Sequence, residues 1–168
     1  AIVAVVIRAA RALHAAHRTG LIHRDVKPAN VLVTRGDDGS LQPILVDFGL
    51  ARELGTEGSA TTTTISGTPA YMAPEQARGE PLDRRVDVYA LGAVLYELLS
   101  GDPPVRAPNL ALALREVVEV EPVPLRARDR SIPRELETIV ACCLEKDPGR
   151  RYATARDLAD DLQRYLDG

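Results

Sequence analysis

Between Asp83 and Gly101 lies a stretch that is apolar on nearly every helical face. Val86, Val88, Leu91, Val94, Leu95, Leu98 and Leu99 leave no polar stripe broad enough to meet water. Asp83 is a capping residue and Gly101 a stop signal, so the pattern predicts a helix ending at Leu99. Such a helix is stable in water only with other elements packed around it. A helical domain built on a central buried helix follows. The stretch carries Glu97, and the apolar opening at 1–7 is stopped by Arg8, so neither reaches the ~18–20 apolar residues of a membrane span. With 168 residues the chain is of single-domain size; such a chain buries about 70% of its unfolded surface.

The partners of that helix are legible too. Val6, Ala9, Ala10, Leu13, Ala16 and His17 recur at helical spacing before Gly20. The runs 31–33 and 44–46 flank the turn-rich 35–40 and read as a hairpin. Residues 54–67 form a loop of Gly, Ser and Thr. Asn109 caps a helix carrying Leu110, Leu114, Val117 and Val118. Ser131 and Pro133 open another, with Leu136, Ile139, Val140, Cys143 and Leu144 inward. Thr154 and Asp157 form a capping box for a last helix with Leu158, Leu162 and Leu166. Pro122 and Pro124 keep the link before Ser131 extended.

Composition excludes several functions. At 45% apolar and 27% charged residues the chain is globular rather than disordered. A net charge of −3 gives no basic surface for nucleic acid. Cys142 and Cys143 are adjacent, so their side chains diverge on a helix, and one or both read as small buried hydrophobes. No signal peptide is legible, and the expected location is cytoplasmic. The first helix starts without a cap or an initiator Met, as in a chain taken from a longer one.

The chemistry is concentrated in two segments, His23-Arg24-Asp25-Val26-Lys27-Pro28-Ala29-Asn30 and Asp47-Phe48-Gly49. Asp25, Asn30 and Asp47 offer oxygen ligands, and Lys27 offers a point positive charge. Two carboxylates about 4 Å apart repel by roughly 4 kcal/mol at an effective dielectric near 20. A polyphosphate would sharpen the conflict unless hard cations sat between. Few protein oxygens, with phosphates completing the shell, suit Mg²⁺. The set favours metal-assisted phosphoryl transfer over hydrolysis by a carboxylate pair.

These segments precede Gly67-Thr68-Pro69-Ala70-Tyr71-Met72-Ala73-Pro74-Glu75 and Asp87-Val88-Tyr89-Ala90-Leu91-Gly92. In that order they resemble the C-terminal lobe of a serine/threonine protein kinase, most similar to the bacterial eukaryotic-like (Hanks-type) kinases. The resemblance covers 1–168 and implies a mainly α fold, a kinase-like C-lobe with a short β-hairpin around the catalytic loop. Its parts would be a catalytic loop at 23–30, the Asp-Phe-Gly triplet at 47–49, an activation segment at 47–75 and a helical remainder at 83–168. Asp25 would accept or orient the substrate hydroxyl's proton, and Lys27 would steady the γ-phosphate of ATP. Asn30 and Asp47 would hold two Mg²⁺, and Leu32 would lie under the adenine. Thr68 would hydrogen-bond Asp25 and Lys27, and Asp87 would brace the loop backbone. Glu75 would pair with Arg151 structurally. Arg24 would pair with a phosphate on the activation segment, at Thr63 or Thr64.

Other charged and titratable residues read as structure. His14 and His17 are packed or surface histidines, and His23 supports the backbone. The pairs 84–85 and 150–151 read as solvated or ion-paired surface, as do Arg126, Arg128 and Arg130, for which a peptide-docking role stays open. A kinase also needs a G-x-G-x-x-G loop and a strand lysine. The sequence holds no G-x-G, and its only lysines are Lys27 and Lys146. The β-rich N-terminal lobe is therefore absent from these residues and expected in the full-length protein. The expected function is transfer of the ATP γ-phosphate to Ser/Thr of a protein substrate, with little activity from this chain alone. The alternative is a non-catalytic kinase-like docking or scaffold module. A cytosolic part of a membrane-anchored kinase fits the same residues.

Overall fold

The computed structural model describes residues 1–48 and 68–168. Its elements are α1 (Ile2–Arg18), β1 (Val31–Arg35), β2 (Leu41–Leu45), α2 (Pro74–Arg78), α3 (Arg85–Ser100), α4 (Leu110–Glu119), α5 (Leu125–Arg128), α6 (Arg134–Cys143) and α7 (Ala155–Asp167). The described fold is mostly helical with one antiparallel two-stranded sheet. None of its helices is long and apolar enough to cross a membrane.

The apolar helix takes the central place that its sequence requires. Every residue of α3 from Val86 to Tyr96 is buried, and α1, α5, α6 and α7 pack against it. The N-cap position is Arg84, without a side-chain cap, rather than Asp83, whose Oδ1 accepts the Arg85 N–H at 2.7 Å from just ahead of the helix. Gly101 closes it in the left-handed region at φ 82°. Gly92 has a tighter role: a Cβ there would fall onto the Cβ of Cys143, so its lack of a side chain sets how closely α6 approaches.

The remaining helices bury one face each. Helix α1 turns Val3, Val6, Ile7, Ala9, Ala10 and Leu13 inward, against α7, β2 and α3. Asn109 caps α4 by accepting the Leu112 N–H at 2.9 Å, but Ala113 and Val117 form its buried face while Leu110 is exposed. The capping box of α7 forms as expected, with Leu158 and Leu162 buried and Leu166 exposed. Helix α6 buries Leu136, Ile139, Val140 and Cys143; its N-cap position is Pro133, which has no side-chain acceptor, and Ser131 lies outside the helix with its N–H donated to Asp129 Oδ1. Two short helices have no periodic signature in the sequence: α2 opens on Pro74 directly after Ala73, and α5 follows Pro124. Both cysteines are free. Burial raises the pKa of each thiol.

The hairpin pairs Val31 with Leu45 and Arg35 with Leu41. It is therefore longer than its apolar cores, and Val46 lies just outside the ladder, its N–H bonded to the Asn30 carbonyl at 3.0 Å. Arg8 of α1 donates to Ser40 Oγ and the Leu41 carbonyl, both at 2.9 Å, and ties the turn to the helix. Leu32 and Ile44 are cross-strand partners and stay half exposed on the open face.

Candidate active site

The loop between α1 and β1 and the segment after β2 carry the site. Asp25 is its centre. Lys27 Nζ lies 2.7 Å from Asp25 Oδ2, and Asn30 Nδ2 donates to the same oxygen at 3.1 Å. Asn30 Nδ2 also donates to the Asp25 carbonyl at 2.8 Å, which closes the loop on itself. Pro28 starts the 3₁₀ turn that brings Asn30 back under Asp25.

The backbone at this site is held in an unusual shape. Arg24 and Asp47 are the non-glycine residues with positive φ among those described, at 65° and 63°. Left-handed backbone costs roughly 1–2 kcal/mol for an ordinary L-residue and persists only where its surroundings hold it. Asp87, fully buried in the first turn of α3, supplies part of that hold. Its Oδ2 accepts the His23 N–H and its Oδ1 the Arg24 N–H, each at 2.8 Å.

His23 is structural, as its sequence context suggested. The Asp25 N–H reaches His23 Nδ1 at 3.3 Å, which makes Nδ1 the acceptor, so Nε2–H donates to the Val46 carbonyl at 2.9 Å. Its ring lies 4.5 Å from that of Phe48. With both nitrogens engaged and no exposed surface, it is not available as a base. His17 is more than a packed histidine, since its Nε2 lies 2.7 Å from Asp87 Oδ2.

The donor set suits a hard cation. Asn30 spends its amide nitrogen on Asp25, and no described residue donates to its Oδ1. Asp47 is exposed beside the hairpin and accepts no hydrogen bond from a described residue. Two oxygen donors are thereby left for a ligand. No group of three or more His, Cys, Asp or Glu side chains gathers among the described residues. A cation here would draw on Asp47 and Asn30 and complete its shell with phosphate and water oxygens. Leu32, half exposed on β1, offers an apolar surface on the adjoining hairpin.

Thr68 departs from expectation. It is exposed and lines a small hollow with Asp25, Tyr71 and Gln76, but makes no side-chain hydrogen bond among the described residues. Lys27 meets Asp25 directly instead. Gly49, Thr63 and Thr64 lie outside the described residues. Arg24 stands at the edge of the same hollow.

Glu75 and Arg151 form the expected pair, bidentate at 2.6 and 2.8 Å and buried. Arg151 is thus not a surface arginine. It also donates to the carbonyls of Glu145, Lys146 and Arg85 and stacks on Tyr89, 4.9 Å from the ring centroid. Two contacts had no signal in the sequence. The Tyr71 hydroxyl donates to Glu97 at 2.7 Å, and Gln76 Nε2 donates to the Arg24 carbonyl at 2.9 Å. Burial, then the bond to Glu97, raises the Tyr71 pKa.

A carboxylate braced by a lysine and an asparagine thus lies beside two unclaimed oxygen donors, the kind of set that metal-assisted group transfer would use. The chain belongs to the protein kinase domain family, whose profile matches residues 1–162. It is 40% identical over 166 residues to the serine/threonine-protein kinase PknB of Mycolicibacterium smegmatis, covering 98% of this chain and 26% of that protein. PknB of Mycobacterium tuberculosis (strain H37Rv) is 39% identical over 166 residues, with the same 98% and 26% shares. A probable serine/threonine-protein kinase of Streptomyces coelicolor is 41% identical over 160 residues, covering 94% of this chain and 23% of that protein. The chain thus spans about a quarter of the length of the curated relatives it matches.

Proposed function

We propose that this chain is the C-terminal lobe of a protein serine/threonine kinase. The observation that carries the reading is the Asp25 carboxylate, held by Lys27 at 2.7 Å and Asn30 at 3.1 Å on a loop braced by Asp87. Asp25 takes the proton of the substrate hydroxyl as its oxygen bonds to the γ-phosphorus of ATP, and the bond to the ADP oxygen breaks. Lys27 places its ammonium 2.7 Å from Asp25 and meets the incoming phosphate. Asn30 and Asp47 would hold Mg²⁺, which neutralises charge on the phosphates when bound. Leu32 supports the adenine, and Thr68 lines the hollow where the substrate hydroxyl enters. Phosphate on Thr63 or Thr64 pairs with Arg24. The partners are ATP and a protein substrate, on the cytoplasmic side where ATP is plentiful.

Phosphoryl transfer rests on positioning and electrostatics from both sides of the nucleotide. Residues 1–168 offer no G-x-G loop and no lysine beyond Lys27 and Lys146, so this chain alone transfers little. A pure docking module has no use for an ion-paired Asp25 or for oxygen donors left unclaimed. The test compares the chain alone with the chain extended N-terminally by a kinase lobe bearing that loop and its strand lysine. The extended form should phosphorylate a generic protein on Ser/Thr, and Asp25→Asn should lower the rate by roughly 10²–10⁴-fold. Transfer that Asp25→Asn leaves unchanged sinks the kinase reading. Robust Asp25-dependent transfer by the 168 residues alone sinks the need for a second lobe.

A further inference from the structure

The Arg24–Asp25 peptide is where the left-handed backbone of Arg24 turns into the residue that carries the chemistry, and both its ends are pinned. Its N–H, belonging to Asp25, donates to His23 Nδ1 at 3.3 Å. Its carbonyl, belonging to Arg24, accepts from Gln76 Nε2 at 2.9 Å. The tilt of this plane sets where the Asp25 side chain leaves the backbone. Asp87 holds the preceding N–H of Arg24, but nothing on α3 reaches the carbonyl. That contact comes from α2.

Gln76 is itself fixed in the orientation this requires. Its Oε1 accepts the Ala73 N–H at 3.1 Å at the start of α2. An amide flipped end for end would set N–H against N–H and oxygen against oxygen, so the two bonds enforce each other. Next to it, Glu75 is locked to Arg151 in the buried pair, which anchors α2 against the far end of the chain.

We propose that Gln76 is a positioning residue for Asp25, transmitting the placement of α2 to the catalytic carboxylate through the Arg24 carbonyl. This rests on the kinase reading above, in which Asp25 is the base. Gln76→Glu is the informative variant. It keeps an oxygen for the Ala73 N–H but turns a second carboxylate oxygen toward the Arg24 carbonyl in place of a donor. Gln76→Ala removes both bonds.

Two measurements test the assignment. In the 168-residue chain, amide hydrogen exchange of Arg24 and Asp25 followed by NMR should accelerate about tenfold in Gln76→Glu, while amides within α2 stay as in wild type. In the extended, active form, kcat should fall about tenfold or more with KM for ATP within about twofold. Wild-type exchange and wild-type kcat in Gln76→Glu overturn the proposal. So does a loss confined to Gln76→Ala, which marks Gln76 as a cap of α2 only. An extended wild type that transfers no phosphate refutes the kinase reading, and the exchange comparison then still decides whether Gln76 holds the Arg24 peptide.

Discussion

Asp87 has no exposed surface, yet it accepts from His23 N–H, Arg24 N–H and the His17 ring. A buried carboxylate is tolerable only when its oxygens are matched in this way. Asp87→Ala leaves three donors without an acceptor, each costing about 1–3 kcal/mol, so the loss of stability should exceed roughly 3 kcal/mol. His17→Phe keeps the ring and both backbone bonds and should cost about 1–2 kcal/mol. Urea unfolding midpoints should fall in that order, and the reverse order would mean that His17 rather than the backbone is the main partner. The cluster of Asp25, Lys27 and Asn30 was legible in sequence because the three residues fall within one short loop. His17 and Gln76 were not. Their partners lie 70 and 52 residues away, and nothing in a histidine or glutamine on a helix announces a distant acceptor. Thr68 shows the opposite failure, since its motif is present but the expected hydrogen bond is not made by the described residues.

At the scale of elements, legibility followed length and period. Helix α3 declared its burial through apolar residues on every face, and the caps of α4 and α7 were declared by Asn109 and Thr154. Helices α2 and α5, of five and four residues, are too short for any period to show. The spacing between α3 and α6 was equally hidden. Gly92 within a helix looks like a weakness by propensity, but in the fold it makes room for Cys143. Gly92→Ala gains about 1 kcal/mol of helix propensity and must push α6 aside, an overpacking cost of roughly 1–3 kcal/mol. The net result should be a lower melting temperature, partly restored by Cys143→Gly in the same chain. A stabilised Gly92→Ala variant would show that the two helices have slack between them.

For the molecule as a whole, most of the buried apolar residues among those described gather around α3. The site is laid out differently from the core. It sits on the loop after α1 and on the hairpin, where Leu32 and Ile44 remain half exposed while the helices close over one another. On the proposed reading, in which Leu32 lies under the adenine, this asymmetry separates binding from folding. Leu32→Ser removes an apolar side chain that is already 52% exposed, so stability should change by less than about 1 kcal/mol. Nucleotide affinity of the extended form should still fall severalfold, read by titration with a fluorescent ATP analogue. Equal losses in both measurements would place Leu32 in the core rather than at the nucleotide.

The Asp87 clamp also bears on how the protein is made. Ribosomes build from the N-terminus, so His23 and Arg24 emerge well before the carboxylate that shapes them, 64 residues later for His23. The Arg151 that anchors Glu75 follows 76 residues after its partner. A nascent chain that already displays Asp25, Lys27 and Asn30 therefore still lacks the geometry to use them. Synthesis order thus delays the shape of this loop until Asp87, and then Arg151, has been made.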